Sequence, residues 1–455
     1  MTEQYLRNIT ADYITGAVSA CEGIQNSLVL LNGPLGCRFY HGYASGQSVM
    51  KSSELWSLGG ALKLSNAMDD RLLRSQYFAG TPQVPGSNLR YEDNIFGTRE
   101  QLRRALNDIF SERRYSLLAV IQTPGTSLLG EALEGELEQI SAEFELPYFF
   151  LETPLLSENF NTGYDETTVR LLQRLLPRHR GQSERPRGPT VNLFGLSTYQ
   201  RYLEGDAAEI LRLLSLCHIS VNCVAGANCT MDSFQKIPQA DLNIMLSPER
   251  CAATARCLRD DFGLPVLICD SVPIGFDLTE RFVQQIAGEL QVDASAALEE
   301  IQKARARAFY FIARHVGEKG IPRHVQYAVE GEYSLLYAYV DFLSGYLGMM
   351  PQAVHPLGTT YSRDGRARLE GLLQKFGALR ALHHDISEVR DAIVLASAGT
   401  ILSLSAYSEN IFGIETAFPS SGYLHVVPKT HWGCSGALFL LEQILNGVRL
   451  LTAWD

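Results

Sequence analysis

Two hydrophobic patterns run along this chain. Short, nearly unbroken apolar runs read as strands covered on both faces: SLVLLN from Ser27, SLLAVIQ from Ser116, LPYFFLE from Leu146, TVNLFGL from Thr190, HISVNCVAG from His218, DLNIMLS from Asp241, LPVLICD from Leu264, HVQYAVEG from His324, MPQAVHP from Met350 and AIVLAS from Ala392. Between them, apolar positions recur at three- and four-residue spacing and predict helices. These cover Tyr13–Gln25, a stretch within 91–110, Leu128–Ile140, a segment ending at Leu214, Thr230–Gln239, Pro248–Asp261, a long passage Leu278–Glu318, Glu332–Leu347, Gly365–Phe376 and a closing helix Gly433–Leu451.

Strand, loop and helix recur in three cycles, the signature of βαβ units. The pattern predicts an α/β protein of three Rossmann-like, doubly wound parallel-sheet domains, over 1–185, 186–320 and 321–455. Ligands are expected at strand carboxyl ends between them. The first boundary follows from Arg178–Pro189, RHRGQSERPRGP, where charge and proline replace the apolar pattern. Residues 40–95 are rich in Gly, Ser and Pro and read as a long excursion, of the kind that covers a site or meets a partner.

With 46% apolar and 20% charged residues, the chain can build a large core. A net charge of −11 without any dense basic block argues against a nucleic-acid binder. The N-terminus lacks a basic stretch followed by an apolar one, and no run approaches the ~18 uninterrupted apolar residues of a membrane helix, so a cytoplasmic protein is expected. Nine cysteines without a CxxC pair predict neither a disulfide framework nor a zinc knuckle. Cys251 and Cys257 lie about 240° apart around one predicted helix and share no metal-binding face. Cys217, Cys223 and Cys269 sit in apolar runs and read as core, while Cys21, Cys229 and Cys434 remain open.

The candidate chemistry centres on Ser27–Cys37, SLVLLNGPLGC: a strand, a Gly-Pro-Leu-Gly turn and a cysteine where a helix could begin. Such a turn brings backbone amides to a sheet's carboxyl edge, where a thiolate gains from a helix N-terminus. Gly33 and Gly36 permit close approach of the backbone to a bulky ligand. As a lone residue Cys37 reads first as a small buried hydrophobe, the turn is what raises the functional reading, and the spacing does not name a ligand. No GxxxxGK[ST], no GxGxxG after a first strand, no GxSxG and no HExxH occur, so a P-loop ATPase and the commonest single-chain enzyme classes lose their signals.

GPLGC, EDNIFGTREQL, a strand ending in a Thr-rich turn and LLGEALE, then ADLNIML, SVPIGFDLTERFVQQIAGEL, HVQYAVEG and GCSGALFLLEQILN resemble, in that order, subunits of nitrogenase component 1 and their relatives. SVPIGFDLTERF and the last helix look most like the β-type subunit, and only residues 40–90 depart from the likeness. The resemblance implies three Rossmann-like domains and an α-like partner in an α2β2 heterotetramer. It implies an iron-sulfur cluster at the subunit interface, fed by a separate ATP-hydrolysing iron protein, and a larger iron-sulfur metallocluster in the partner. That division of labour accounts for the missing P-loop.

Cys37 matches the middle of three interface cysteines in nitrogenase. The first position falls on Asp12, and the third near Thr123 or Pro124, where no cysteine stands. The resemblance thus makes Cys37 a metal ligand and Asp12 a candidate carboxylate ligand, since one relative uses a carboxylate; the alternative for Asp12 is a helix N-cap. The cysteine and histidine that hold the cofactor in the α-type subunit correspond to Ser247 and, one step out of register, His431 beside Trp432. His431 therefore reads as an interface or supporting histidine rather than a ligand. These departures point to the β-like subunit of a nitrogenase-like reductase, an oxidoreductase other than a standard dinitrogenase. An organic sulfur compound such as a methylthio-alkane is a candidate substrate, and the alternatives are a tetrapyrrole reductase subunit or a metallocluster assembly scaffold.

Overall fold

The computed structural model describes residues 11–34, 84–112, 114–154, 157–177, 188–319, 322–357, 363–408, 410–416 and 427–451. Gly36, Cys37 and the excursion as far as residue 83 lie outside the described residues.

The first sheet is built from β1 (Ser27–Asn32), β2 (Leu117–Gln122) and β3 (Tyr148–Leu151), in that spatial order. The second takes β4 (Thr190–Phe194), β5 (Ser220–Val224), β6 (Leu242–Met245) and β7 (Val266–Ile268) in the order β5-β4-β6-β7. The third takes β8 (Gln326–Gly331), β9 (Met350–Pro356), β10 (Ala392–Ala396) and β11 (Ile411–Glu415) in the order β11-β10-β8-β9. Every ladder in the three sheets is parallel. This is the doubly wound α/β architecture that the unbroken apolar runs predict.

Alternation along the strands assigns each face to a different core. In β1, Val29 and Leu31 join a core with Tyr13, Phe194 and Met245, while Leu28 and Leu30 face a separate one with Leu106 and Leu137. The opposite face of the second sheet, through Val191, Leu193 and Ile244, shares a core with Tyr327, Val329 and Leu395 of the third. The three sheets are thereby welded through two shared interiors.

Helix α1 (Tyr13–Glu22) precedes β1, α2 (Arg99–Glu112) precedes β2, and α3 (Glu134–Glu143) precedes β3. Helix α3 begins later than the apolar spacing suggests. Pro124–Ser127 forms a single turn and Gly130 adopts φ +63°, which ends that turn before a new helix starts. The helix α4 (Phe160–Leu175), which periodicity does not reveal, packs on α1 along its length. The passage Leu278–Glu318 is two helices, α5 (Gly275–Leu290) and α6 (Ser295–Lys319), separated where Gln291 turns left-handed. The predicted helix after β8 ends at Val340 and continues as a π-helical turn, Asp341–Tyr346. The closing helix α7 (Gly433–Leu451) is long and apolar enough to cross a membrane, but it packs on α5 and α6 as a core helix, with Leu440, Leu441 and Ile444 buried.

Helices α1 and α4 touch backbone to backbone. A Cβ on Gly16 would lie 2.1 Å from the Phe160 carbonyl oxygen, and one on Gly163 2.0 Å from that of Tyr13. Gly163→Ala is therefore expected to destabilise the protein by about 2–3 kcal/mol through overpacking. Gly371→Ala, on an exposed helical surface with nothing within 4 Å, should instead gain about 0.5–1 kcal/mol. Chemical denaturation midpoints of the two variants check the contrast.

Candidate functional site

The turn after β1 stands on a buried polar platform at the carboxyl edge of the first sheet. Asn32, the last residue of β1, donates its side-chain amide to Thr98 Oγ1 (3.2 Å) and Gln122 Oε1 (3.3 Å) and accepts from Ser87 Oγ at 2.7 Å. The Gly33 amide donates to Ser87 Oγ at 3.0 Å, and Thr126 Oγ1 donates to the Asn32 carbonyl at 2.7 Å. Asn32, Ser87, Thr98, Gln122, Thr123 and Thr126 are all buried, so this network satisfies strand-end groups that water cannot reach.

The chain leaves this platform at Pro34 and returns to it. Residues 84–89 lie alongside β1, with the Leu31 amide donating to the Pro85 carbonyl (2.9 Å), the Ser87 amide to that of Leu31 (3.0 Å) and the Leu89 amide to that of Gly33 (3.1 Å). Gly33 is required by a close approach to the protein itself: a Cβ there would lie 2.4 Å from Thr123 Cγ2.

Glu131 closes the outer rim. Its carboxylate accepts from the Thr98 amide at 2.6 Å, the Thr98 hydroxyl at 2.8 Å and the Arg99 amide at 3.2 Å. These bonds tie the segment Asp93–Thr98 to the turn after β2, and Glu131 lies within the LLGEALE stretch that carries part of the family resemblance, which by itself assigns it no role. On either side of the tie the surface is apolar: Phe96 is 86% exposed, Leu128 85% and Ile95 61%.

Asp12 caps α1, accepting from the Thr15 amide at 2.8 Å and the Thr15 hydroxyl at 2.7 Å. Because α1 runs back along β1 and the two have comparable lengths, about 15 and 20 Å, Asp12 lies toward the same edge as Gly33. The geometry thus accounts for Asp12 as an N-cap. Gly36 and Cys37 lie outside the described residues.

The eight other cysteines are buried free thiols. Loss of hydration pushes the thiols of Cys21, Cys217, Cys251 and Cys434 up, and those of Cys257 and Cys269 to about 12. A neighbouring Cys229 thiol and burial do the same to Cys223. Burial thus favours the neutral thiol at each of these positions. Among the described residues no three His, Cys, Asp or Glu side chains converge in a way that could hold a metal.

Ser247 and His431 are engaged otherwise. Ser247 begins the helix Pro248–Asp260, and its hydroxyl lies 3.5 Å from Glu332, which pairs with Arg250 at 2.9 Å. His431 is buried with both ring nitrogens occupied, Nδ1 by the Tyr339 hydroxyl and Nε2 by Gln443 Oε1, each at 2.7 Å. The Gln443 oxygen only accepts, so Nε2 carries the proton and Nδ1 takes the tyrosine hydrogen. The histidine is a supporting residue, as the register mismatch suggests. Beside it the buried Asp206 accepts from Thr430 Oγ1 (2.7 Å) and Gln200 Nε2 (2.5 Å).

The family model described as nitrogenase component 1 type oxidoreductase matches residues 14–449. The chain belongs to this family of oxidoreductases. It is 27% identical over 344 residues to the B subunit of light-independent protochlorophyllide reductase from Prochlorococcus marinus (strain NATL2A), an alignment covering 70% of this chain and 62% of that relative. The B subunit of the same name from Synechococcus sp. (strain WH7803) is 32% identical over 198 residues, 40% of this chain and 37% of the relative. The chain thus spans less than two thirds of these curated relatives. Among solved structures, one titled "Nitrogenase Cp1 at pH 6.5" superposes with a TM-score of 0.70 at 17% identity, covering 96% of this chain and 92% of that one. That likeness establishes the fold.

Two outcomes follow for this region. Gly33→Ala should destabilise the protein by about 2 kcal/mol, and adding Thr123→Ala should recover most of the loss, a coupling read from a double-mutant cycle. Burial pushes Asp206 up to about 7, against hydrogen bonds that favour its ionised form. The folded carboxyl thus holds its proton more tightly than the unfolded one, so its contribution to stability is present below about pH 4 and is lost as the pH rises through about 7. Asp206→Asn should flatten the stability profile between those limits, as measured by denaturation at a series of pH values.

Proposed function

We propose that this chain is the β-like subunit of a nitrogenase-like reductase, and that Cys37 is its thiolate ligand to an iron-sulfur cluster at the interface with an α-like partner in an α2β2 assembly. The observation that carries the reading is the buried platform beneath Gly33 at a sheet's carboxyl edge, four positions before Cys37 in the chain, while the eight other cysteines are buried within the fold. When bound, such a cluster supplies one-electron storage at low potential. The residues of this chain orient the turn, exclude water beneath it and present an apolar rim. Ile95, Phe96 and Leu128 on that rim suit the docking of a separate ATP-hydrolysing iron protein. Asp12 at the same edge is a candidate carboxylate ligand.

The relatives favour a conjugated tetrapyrrole as substrate, bound between this chain and its partner. Reduction of one of its carbon–carbon double bonds takes two electrons, delivered singly by the donor, and two protons from solvent or protein acids. A methylthio-alkane substrate would consume the same number of electrons with cleavage of a carbon–sulfur bond.

The test is anaerobic co-purification with the α-like partner, with iron and sulfide quantified, followed by turnover with the iron protein and ATP. The expected result is cluster iron that Cys37→Ala abolishes, with ATP-dependent reduction of a protochlorophyllide-type tetrapyrrole. Iron retained at wild-type stoichiometry in Cys37→Ala removes the ligand assignment. Turnover of a methylthio-alkane instead overturns the substrate assignment, and transfer of the intact cluster to an acceptor protein identifies an assembly scaffold.

A further inference from the structure

The hydrogen bonds of the platform form a chain with one direction. A carboxylate only accepts, so the Thr98 hydroxyl must donate to Glu131 Oε2 at 2.8 Å. With its proton so committed, Thr98 Oγ1 can receive only a donor from Asn32, whose side-chain nitrogen lies 3.2 Å away. The opposite end of that amide is then an oxygen, and it accepts the Ser87 hydroxyl at 2.7 Å. Ser87, having donated, is left to accept the Gly33 amide at 3.0 Å. Each donor polarises the next, and the four bonds run from the backbone of the turn before Cys37 to a carboxylate at the rim. Their side chains reverse no bond without stranding a buried group: Asn32, Ser87 and Thr98 are each at most 1% exposed.

The rim end of this chain is also the base of the apolar knob. Thr98 follows Phe96 and Gly97, and its amide is held by the same Glu131 carboxylate at 2.6 Å. Any displacement of Ile95 and Phe96 therefore moves the group that fixes Asn32 and, through it, the Gly33 amide.

The geometry points to Thr98, Asn32 and Glu131 as positioning residues that couple docking at the Ile95–Phe96 rim to the turn leading into the cluster ligand. This inference rests on the electron-relay reading above. Pressing on the rim tightens the relay and orders the Gly33 turn, so that the receiving site is set when the donor is seated. Glu131 acts through Thr98, and none of the three touches substrate.

Amide hydrogen exchange of residues 27–34 tests the coupling in the αβ complex, with and without the iron protein held in place by a non-hydrolysable ATP analogue. In the wild type the Gly33 amide should exchange about tenfold more slowly with the donor bound, since its opening is then further disfavoured. In Thr98→Val, which keeps the shape and removes the hydroxyl, that slowing should vanish while the donor's Kd stays within about threefold of wild type. Thr98→Ser should restore it, which separates loss of the relay from loss of the fold.

Full slowing in Thr98→Val overturns the relay. So does a wild-type Gly33 amide whose exchange is unchanged by a donor that demonstrably binds. A wild-type complex that does not bind the donor at all overturns the functional reading, and the relay falls with it.

Discussion

Parallel sheets buried on both faces leave no water at their strand ends, and this chain meets the resulting demand with side-chain amides and carboxylates. Asn32 fills the role after β1. Asn192, midway along β4, and Asn243 of β6 answer the same demand inside the second sheet, paired across neighbouring strands at 2.8 Å and donating to the Ile237 and Pro265 carbonyls. Glu330 fills it in the third, where it accepts from the Ser397 amide at 3.2 Å and from Thr400. An apolar residue at any of these positions would leave buried backbone or hydroxyl groups unpaired, a penalty of about 1–3 kcal/mol each. What looks like polar contamination of apolar strands is the condition for closing them.

The same need shapes how the second and third sheets meet. Arg201 and Glu415 form a buried ion pair at 2.5 Å, Arg250 pairs with Glu332, and Glu249 accepts from both the amide and the hydroxyl of Ser334 at 2.7 Å. Pairs of this kind contribute little net stability because dehydration offsets attraction, but losing one partner strands a charge. They define which surfaces meet. The positions where an α-type subunit would hold a cofactor, Ser247 and His431, lie within this scaffolding and are engaged by it.

Much of this was legible in the sequence because unbroken apolar runs announce parallel strands, and Gly33 announces where the first of them ends. Asp12 as an N-cap was readable from TADYI alone. Helix α4 was not, because its buried face carries Asn161, Gly163, Asp165 and Thr168, chosen for contact with α1 and the helix Pro248–Asp260 rather than for apolar spacing. Strand β11 escaped because Phe412 and Gly413 lie on a half-covered edge. Glu131 lies in LLGEALE, a stretch that carries part of the resemblance, but its role was hidden because its partners Thr98 and Arg99 lie more than thirty residues earlier in the chain. Tyr339, which engages His431, is similarly remote at ninety-two positions.

The return of residues 84–89 to the flank of β1 has a structural corollary. Both ends of the long excursion are pinned to one strand within a few ångströms, by the Gly33 amide on one side and by Ser87 and Leu89 on the other. A segment moored in this way can lengthen, shorten or change its composition while the foundations beneath it stay put, since the entropy of closing a loop grows only slowly with its length. Whatever length of chain joins them, the two moorings thus meet on one unchanging floor.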